Sequence, residues 1–108
     1  MIIDGRKMAA EVLARAKTRA AKLTRPPRIL AIVASETPAT KSYLAIKAKL
    51  AADAGCVLEV KQFPETVLSE ELQAAITASN ADAIIVQLPL PAGINAQVVC
   101  DVIPIEKD

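Results

Sequence analysis

The sequence predicts an α/β fold, a three-layer sandwich built around a mainly parallel sheet. Three observations carry the prediction. Two runs, Arg28 to Ala34 and Ala83 to Leu88, are apolar almost throughout, as in strands covered on both faces. Segments of helical period alternate with them along the chain. Alanine supplies 21 of the 108 residues and only Tyr43 and Phe63 are aromatic, a composition suited to helices lying close on a sheet.

Each element has a local reason. Ile2-Ile3 reads as a short extended piece closed by Asp4-Gly5. Asp4 can cap a helix that runs to about Thr24, with Met8, Val12, Leu13, Ala16, Ala20 and Leu23 along one stripe. Pro26-Pro27 ends that helix, because proline lacks a donor and biases the preceding residue away from helix. After the first apolar strand comes the loop Ser35-Glu36-Thr37, then a helix with Thr37 at its N-cap and Pro38 in its first turn. Gly55 is placed to stop it near Ala54. Cys56 to Phe63 alternates apolar and polar and reads as a more exposed strand. Ser69, followed by Glu70 and Glu71, opens a helix that reaches about Asn80. Pro89-Leu90-Pro91 breaks the last strand, and Ile94 to Val102 forms a final helix with Asn95 near its start and Pro104 as its stop.

The chain is long enough for one domain and not for two. Thirteen Lys and Arg against twelve Asp and Glu leave a net charge of +1, which argues against a nucleic-acid or membrane-surface role. No histidine is present, so His-based triads and His-ligated metal sites are excluded, and no metal site is expected. Cys56 and Cys100 lie too far apart for a zinc knuckle and read as two inert thiols in a reducing compartment. No apolar span is long enough to cross a bilayer and the N-terminus has no signal-peptide core, so a cytoplasmic location is expected.

Two features stand apart from solvated faces. Tyr43 and Lys47 are four residues apart near the start of the helix that follows a buried strand, and so share a helix face. An amphipathic helix with a snorkelling lysine accounts for that spacing equally well. Gln87 ends an otherwise apolar strand, where its amide is costly without partners, and the prolines behind it make a rigid wall. By itself this is a strand end and a turn. Both features fall at the carboxyl edge of a parallel sheet, where ligands bind. A lysine partly withdrawn from water gives up its proton more readily, a glutamine beside it can orient the amine without adding charge, and a phenol can donate to or stack on a flat ring. The set suits proton shuttling at a C–N centre better than acyl transfer, for which no activated nucleophile is apparent.

The residues that now fall into order are Ile2-Ile3-Asp4-Gly5, Pro38-Ala39-Thr40-Lys41-Ser42-Tyr43 with Lys47, Pro64-Glu65-Thr66, Val86-Gln87-Leu88-Pro89-Leu90-Pro91 and Pro104-Ile105-Glu106-Lys107-Asp108. They resemble the N-terminal catalytic domain of the bifunctional methylenetetrahydrofolate dehydrogenase/methenyltetrahydrofolate cyclohydrolase family over essentially the whole chain. The resemblance implies an amino-acid-dehydrogenase-like N-terminal fold. It also implies oxidation of 5,10-methylenetetrahydrofolate with NADP, then hydrolysis of the methenyl product to 10-formyltetrahydrofolate. It makes Lys47 the catalytic amine, Gln87 the group that holds it, and Tyr43 a lining residue that packs on the pterin or aminobenzoate part. Leu88, Pro89 and Leu90 join these three in binding substrate.

The resemblance further implies that residues 1–108 are a truncated catalytic domain. The family continues past Lys107-Asp108 into Val-Asp-Gly, whose second aspartate binds the pterin. NADP would be bound by a second, Rossmann domain and by no residue of this chain, which has only three glycines and no Gly-rich phosphate loop. A homodimeric parent enzyme follows, and a fragment stripped of its covering elements is expected to self-associate. Ala34 stands where the family usually has glycine, and the loop up to Pro38 is one residue longer. Two rivals make different demands. A Tyr-x-x-x-Lys short-chain dehydrogenase needs an N-terminal glycine-rich turn that is not there. A small non-catalytic α/β binding or interaction module predicts Tyr43 and Lys47 facing solvent, with Gln87 pointing away from them.

Overall fold

A computed structural model describes residues 4–35 and 37–108; the expected extended piece Ile2-Ile3 lies outside them. The chain alternates as expected: α1 (Gly5–Ala21), β1 (Arg28–Val33), α2 (Pro38–Asp53), β2 (Val57–Gln62), α3 (Ser69–Ala78), β3 (Ala83–Val86), α4 (Ala96–Cys100) and a closing 3-10 turn, Ile105–Lys107. The three strands form one parallel sheet in the order β2-β1-β3. β1 is central because it is the most apolar, and every residue from Leu30 to Ala34 is buried.

Alternation along β1 splits the molecule into layers. Leu30, Ile32 and Ala34 face one side, where Leu72 and Ile76 of α3, Val99 of α4 and Ile84 of β3 close the main core. Ile29 faces the other side, which α2 covers with Leu50, Ala51 and Ala54. The chain moves from β1 outward to β2 and then back across to β3. With crossovers of one hand, that reversal puts α2 and α3 on opposite faces, which is the expected sandwich.

The helix ends show why the elements stop where they do. Asp4 Oδ1 accepts from the Arg6 and Lys7 amides at 3.1 and 3.2 Å and starts α1. Thr37 Oγ1 accepts from the Thr40 amide at 3.1 Å and starts α2, with Pro38 behind it. Gly55, at φ +79°, ends α2; its amide bonds to Ala52 O and that of Cys56 to Ala51 O, a pairing that needs a left-handed residue at this point.

Several expected boundaries move. α1 ends at Ala21 rather than near Thr24, where i→i−3 bonds from Lys22 and Leu23 tighten the last turn. α3 does begin at Ser69, with the Leu68 amide before it donating to the Glu71 carboxylate at 3.2 Å. α3 ends at Ala78, β3 at Val86, and α4 spans only Ala96–Cys100, since Val102 and Ile103 turn back onto Val99 and Cys100. The largest departure is α1. Its apolar stripe buries no residue, and Met8, Val12 and Leu23 are each 56% exposed; among the described residues its main packing is against α2.

Candidate active site

The sheet order places a switch point between β1 and β3. The connection after β1 leaves toward α2 on one face, and the chain after β3 leaves toward α4 on the other. In open parallel sheets the crevice at such a point, at the strand carboxyl ends, receives ligands. Gln87 follows β3 directly and its amide bonds to Ile32 O of β1 at 2.9 Å, so its position is set by the backbone of the buried strand. The Leu88–Pro89 peptide beyond it is cis.

Lys47 projects from the middle of α2, and its Nζ donates to Gln87 Oε1 at 2.8 Å. The amide nitrogen of Gln87 turns back to Leu88 O at 3.4 Å. That second contact leaves the carbonyl end of the amide for the lysine. Two of the three residues singled out from the sequence therefore meet directly. Tyr43 lies one helical turn before Lys47, with its side chain 57% exposed. Leu88 and Pro89 are exposed and Leu90 is half-buried against the core beneath.

The structure corrects one expectation about this rim. Lys47 was expected partly withdrawn from water, yet it is exposed. Exposure of Tyr43 and Lys47 is what the non-catalytic module called for, but Gln87 does not point away from Lys47. The sequence also gave no notice of a groove of about 320 Å³ beside the lysine stem, floored by Ile29, Leu58 and Ile85 and walled by Leu50, Ala51 and Ala54.

The pronounced electrostatic perturbation lies at the opposite end of the sheet. Asp82 accepts from both Arg25 guanidinium nitrogens at 2.7 Å and from the Arg28 amide at 2.8 Å. The Arg25 hydrogen bonds and the Arg28 amide hold its carboxyl well below the usual carboxylate range, and the same pair raises the Arg25 guanidinium. It ties strand starts together and has no part in the rim.

The family described as tetrahydrofolate dehydrogenase/cyclohydrolase, catalytic domain, matches residues 3–108. The chain belongs to this family. The bifunctional protein FolD of Acidiphilium cryptum is 38% identical over 111 residues, which cover 99% of this chain and 40% of that protein. The bifunctional FolD methylenetetrahydrofolate dehydrogenase/cyclohydrolase of Campylobacter jejuni superposes with a TM-score of 0.90 at 27% identity, over 97% of this chain and 40% of that one. The corresponding enzyme of Trypanosoma brucei, solved with NADP cofactor and an inhibitor, gives a TM-score of 0.84 at 27% identity, over 100% and 39%. The chain thus spans about 40% of the length of the relatives it matches. Membership in this family sets aside the short-chain dehydrogenase reading.

The residues of this chain do not fit a dinucleotide. A phosphate cradle needs a glycine-rich turn between a strand end and a helix N-terminus. Gly5 instead opens α1, Gly55 closes α2, and Gly93 stands alone in the connection before the five-residue α4.

Proposed function

We propose that residues 1–108 form the folate-binding catalytic portion of a methylenetetrahydrofolate dehydrogenase/methenyltetrahydrofolate cyclohydrolase. In this reading Lys47 is the proton-transfer group, Gln87 holds it, and Tyr43, Leu88, Pro89 and Leu90 line the substrate. The observation that carries it is the 2.8 Å bond between Lys47 Nζ and Gln87 Oε1 at the carboxyl edge of β1 and β3.

The chemistry follows from what the pair can do. Hydrolysis of a methenyl bridge adds water to a carbon between two nitrogens. One proton of that water passes to the Lys47 nitrogen acting as base; as the carbinol oxygen becomes the formyl carbonyl it releases its second proton to solvent, one ring C–N bond breaks, and the departing nitrogen takes the first proton back from Lys47. Gln87 accepts a hydrogen bond from the lysine in either state, so it fixes the nitrogen in place without trapping the proton. Tyr43 supplies a flat, half-open face one turn away, suited to a pterin or aminobenzoate ring. Dehydrogenation belongs to the longer enzyme, with NADP held by a second domain. Homodimerisation of that enzyme and a cytoplasmic location complete the reading; no helix among the described residues is long and apolar enough to cross a membrane.

Calorimetric titration of the chain with a 5-formyltetrahydrofolate analogue tests it. Weak, saturable binding is expected, lost in Lys47→Met, which keeps the apolar stem in its groove while removing the amine. Binding of equal strength by Lys47→Met refutes the assigned role. No heat at millimolar analogue refutes an autonomous folate site on this chain. In the intact enzyme, Lys47→Met is expected to lower methenyl hydrolysis by about 10²–10⁴-fold, the usual worth of a positioned acid–base group.

A further inference from the structure

A lysine amine reaches its partner through several rotatable bonds, and a hydrogen bond made beside water offsets only part of the freedom lost in fixing them. Lys47 is exposed, so its 2.8 Å bond to Gln87 Oε1 needs support along the stem. The support comes from the strand that leads into the glutamine. Ile84 and Val86 of β3 turn into the main core, which leaves Ile85, and Gln87 after it, on the face toward α2. Ile85 lines the same groove as the Lys47 stem, roughly 7 Å back along the strand from Gln87.

Two features single out Ile85 among the apolar residues of that groove. Its neighbour in register on β1 is Ala31, which is buried and offers only a methyl, so the central strand sets no larger side chain beside it. A β-branched side chain is also stiff at χ1, so Ile85 presents a fixed surface to whatever lies on it. The groove gives the amine nothing to be diverted to near the rim, because Ile29, Leu50, Leu58 and Ile85 carry no polar side-chain atom. Cys56 stands at its far end, just before Val57, which pairs with Arg28 at the amino edge of the sheet.

We propose that Ile85 is a positioning residue for Lys47: it backs the lysine stem and so sets where Nζ stands relative to Gln87 Oε1. Support and acceptor then belong to one strand, two residues apart on one face, and any movement of β3 carries both together. Ile85 meets neither substrate nor proton in this role and acts only through the amine. The inference rests on the reading of Lys47 as the proton-transfer group and adds to it the residue that holds that group in register. An unsupported stem would leave Nζ sampling positions away from the rim, and misplacement of a catalytic group by about 1 Å can cost about 100-fold in rate.

Heteronuclear NMR of the lysine ε-methylene groups tests the positioning on this chain, the Lys47 signal being identified by its loss in Lys47→Met. The two ε protons of Lys47 are expected to be inequivalent in the natural chain and to merge in Ile85→Ala, with circular dichroism confirming the fold. Ile85→Val, which keeps the β-branch and the fold, should hold them apart. Merged protons in the natural chain, or protons that stay apart in Ile85→Ala, overturn the proposal. In the intact enzyme, Ile85→Ala is expected to lower kcat for methenyl hydrolysis by about 10–100-fold with KM little changed, and Ile85→Val to recover most of that loss. In a Lys47→Met background the same Ile85→Ala change should cost nothing further, because the group it acts through is gone. An equal loss in both backgrounds overturns the proposal, since Ile85 would then act on the fold or the substrate. Full activity of Lys47→Met sinks the proton-transfer reading alone, and the ε-methylene signals still decide the positioning.

Discussion

Gln87 offers Lys47 a neutral carbonyl oxygen at 2.8 Å, and an amide there is chemically different from the carboxylate that would fit the same space. A carboxylate at this distance would stabilise the ammonium and hold its proton. Gln87→Glu is therefore expected to fold normally, keep the contact, and depress methenyl hydrolysis by the intact enzyme at neutral pH, with partial recovery as the pH is raised. Gln87→Met, which removes the acceptor and adds no charge, should lose activity without that recovery. Identical pH–rate profiles for the two variants would show that the amide merely fills space. That Lys47 and Gln87 share a rim was legible in the sequence because each has a local cause, a helical spacing of four with Tyr43 and a glutamine ending an apolar strand; that Gln87 holds Lys47 came only with the family resemblance. The exposure of Lys47 was not legible. Solvent access depends on what lies above α2, and no spacing within α2 encodes that.

Among the elements, α2 is the one that aims the site, and both of its ends are specified. Thr37 caps its start and Gly55 closes it at φ +79°. An alanine at 55 would meet two obstacles: a left-handed backbone, and a new methyl 3.4 Å from the Ala20 side chain of α1. Gly55→Ala is expected to cost about 1–2 kcal/mol, the penalty of left-handed conformation for a residue with a Cβ. Urea unfolding measures it, and a midpoint unchanged from the natural chain would mean that α2 does not need this closure. The identity of α1–α4 and β1–β3 was readable because apolar period and the turn and proline residues between them agree. Boundaries were less so. α3 starts at Ser69 as read, where the Glu71 carboxylate takes the Leu68 amide, but it stops at Ala78 and does not reach Asn80. α4 is shorter than its apolar pattern suggests because the residues after Cys100 tighten into i→i−3 turns before Pro104.

At the scale of the whole molecule, the sandwich is asymmetric: its main core lies between the sheet and α3/α4, and α1 stays outside it. The stripe on α1 was visible in the sequence, but a stripe states only that a partner exists, not that the partner is within the chain. What fastens the strands to one another at the end away from the site is a polar cluster. Asp82, at the start of β3, holds Arg25 and the Arg28 amide, while the Arg28 guanidinium reaches Glu59 of β2 at 3.1 and 3.2 Å and Asn80 at 3.2 Å. Arg25 binding lowers the Asp82 carboxyl in the folded chain. A group so lowered contributes stability above its unfolded value, near 4, and that contribution is lost as pH falls from there toward the folded value. Asp82→Asn keeps the shape and removes the charge. It should unfold at lower urea than the natural chain at pH 7, and the gap should narrow progressively below pH 4 as the natural carboxylate takes up its proton. Because Asp82 and Arg25 are both solvent-accessible, the pH 7 gap should also shrink when salt is raised. Urea midpoints of the two chains at pH 7 and pH 3 decide the matter: a gap of the same size at both would mean that Asp82 acts through its hydrogen-bonding shape and not through its charge.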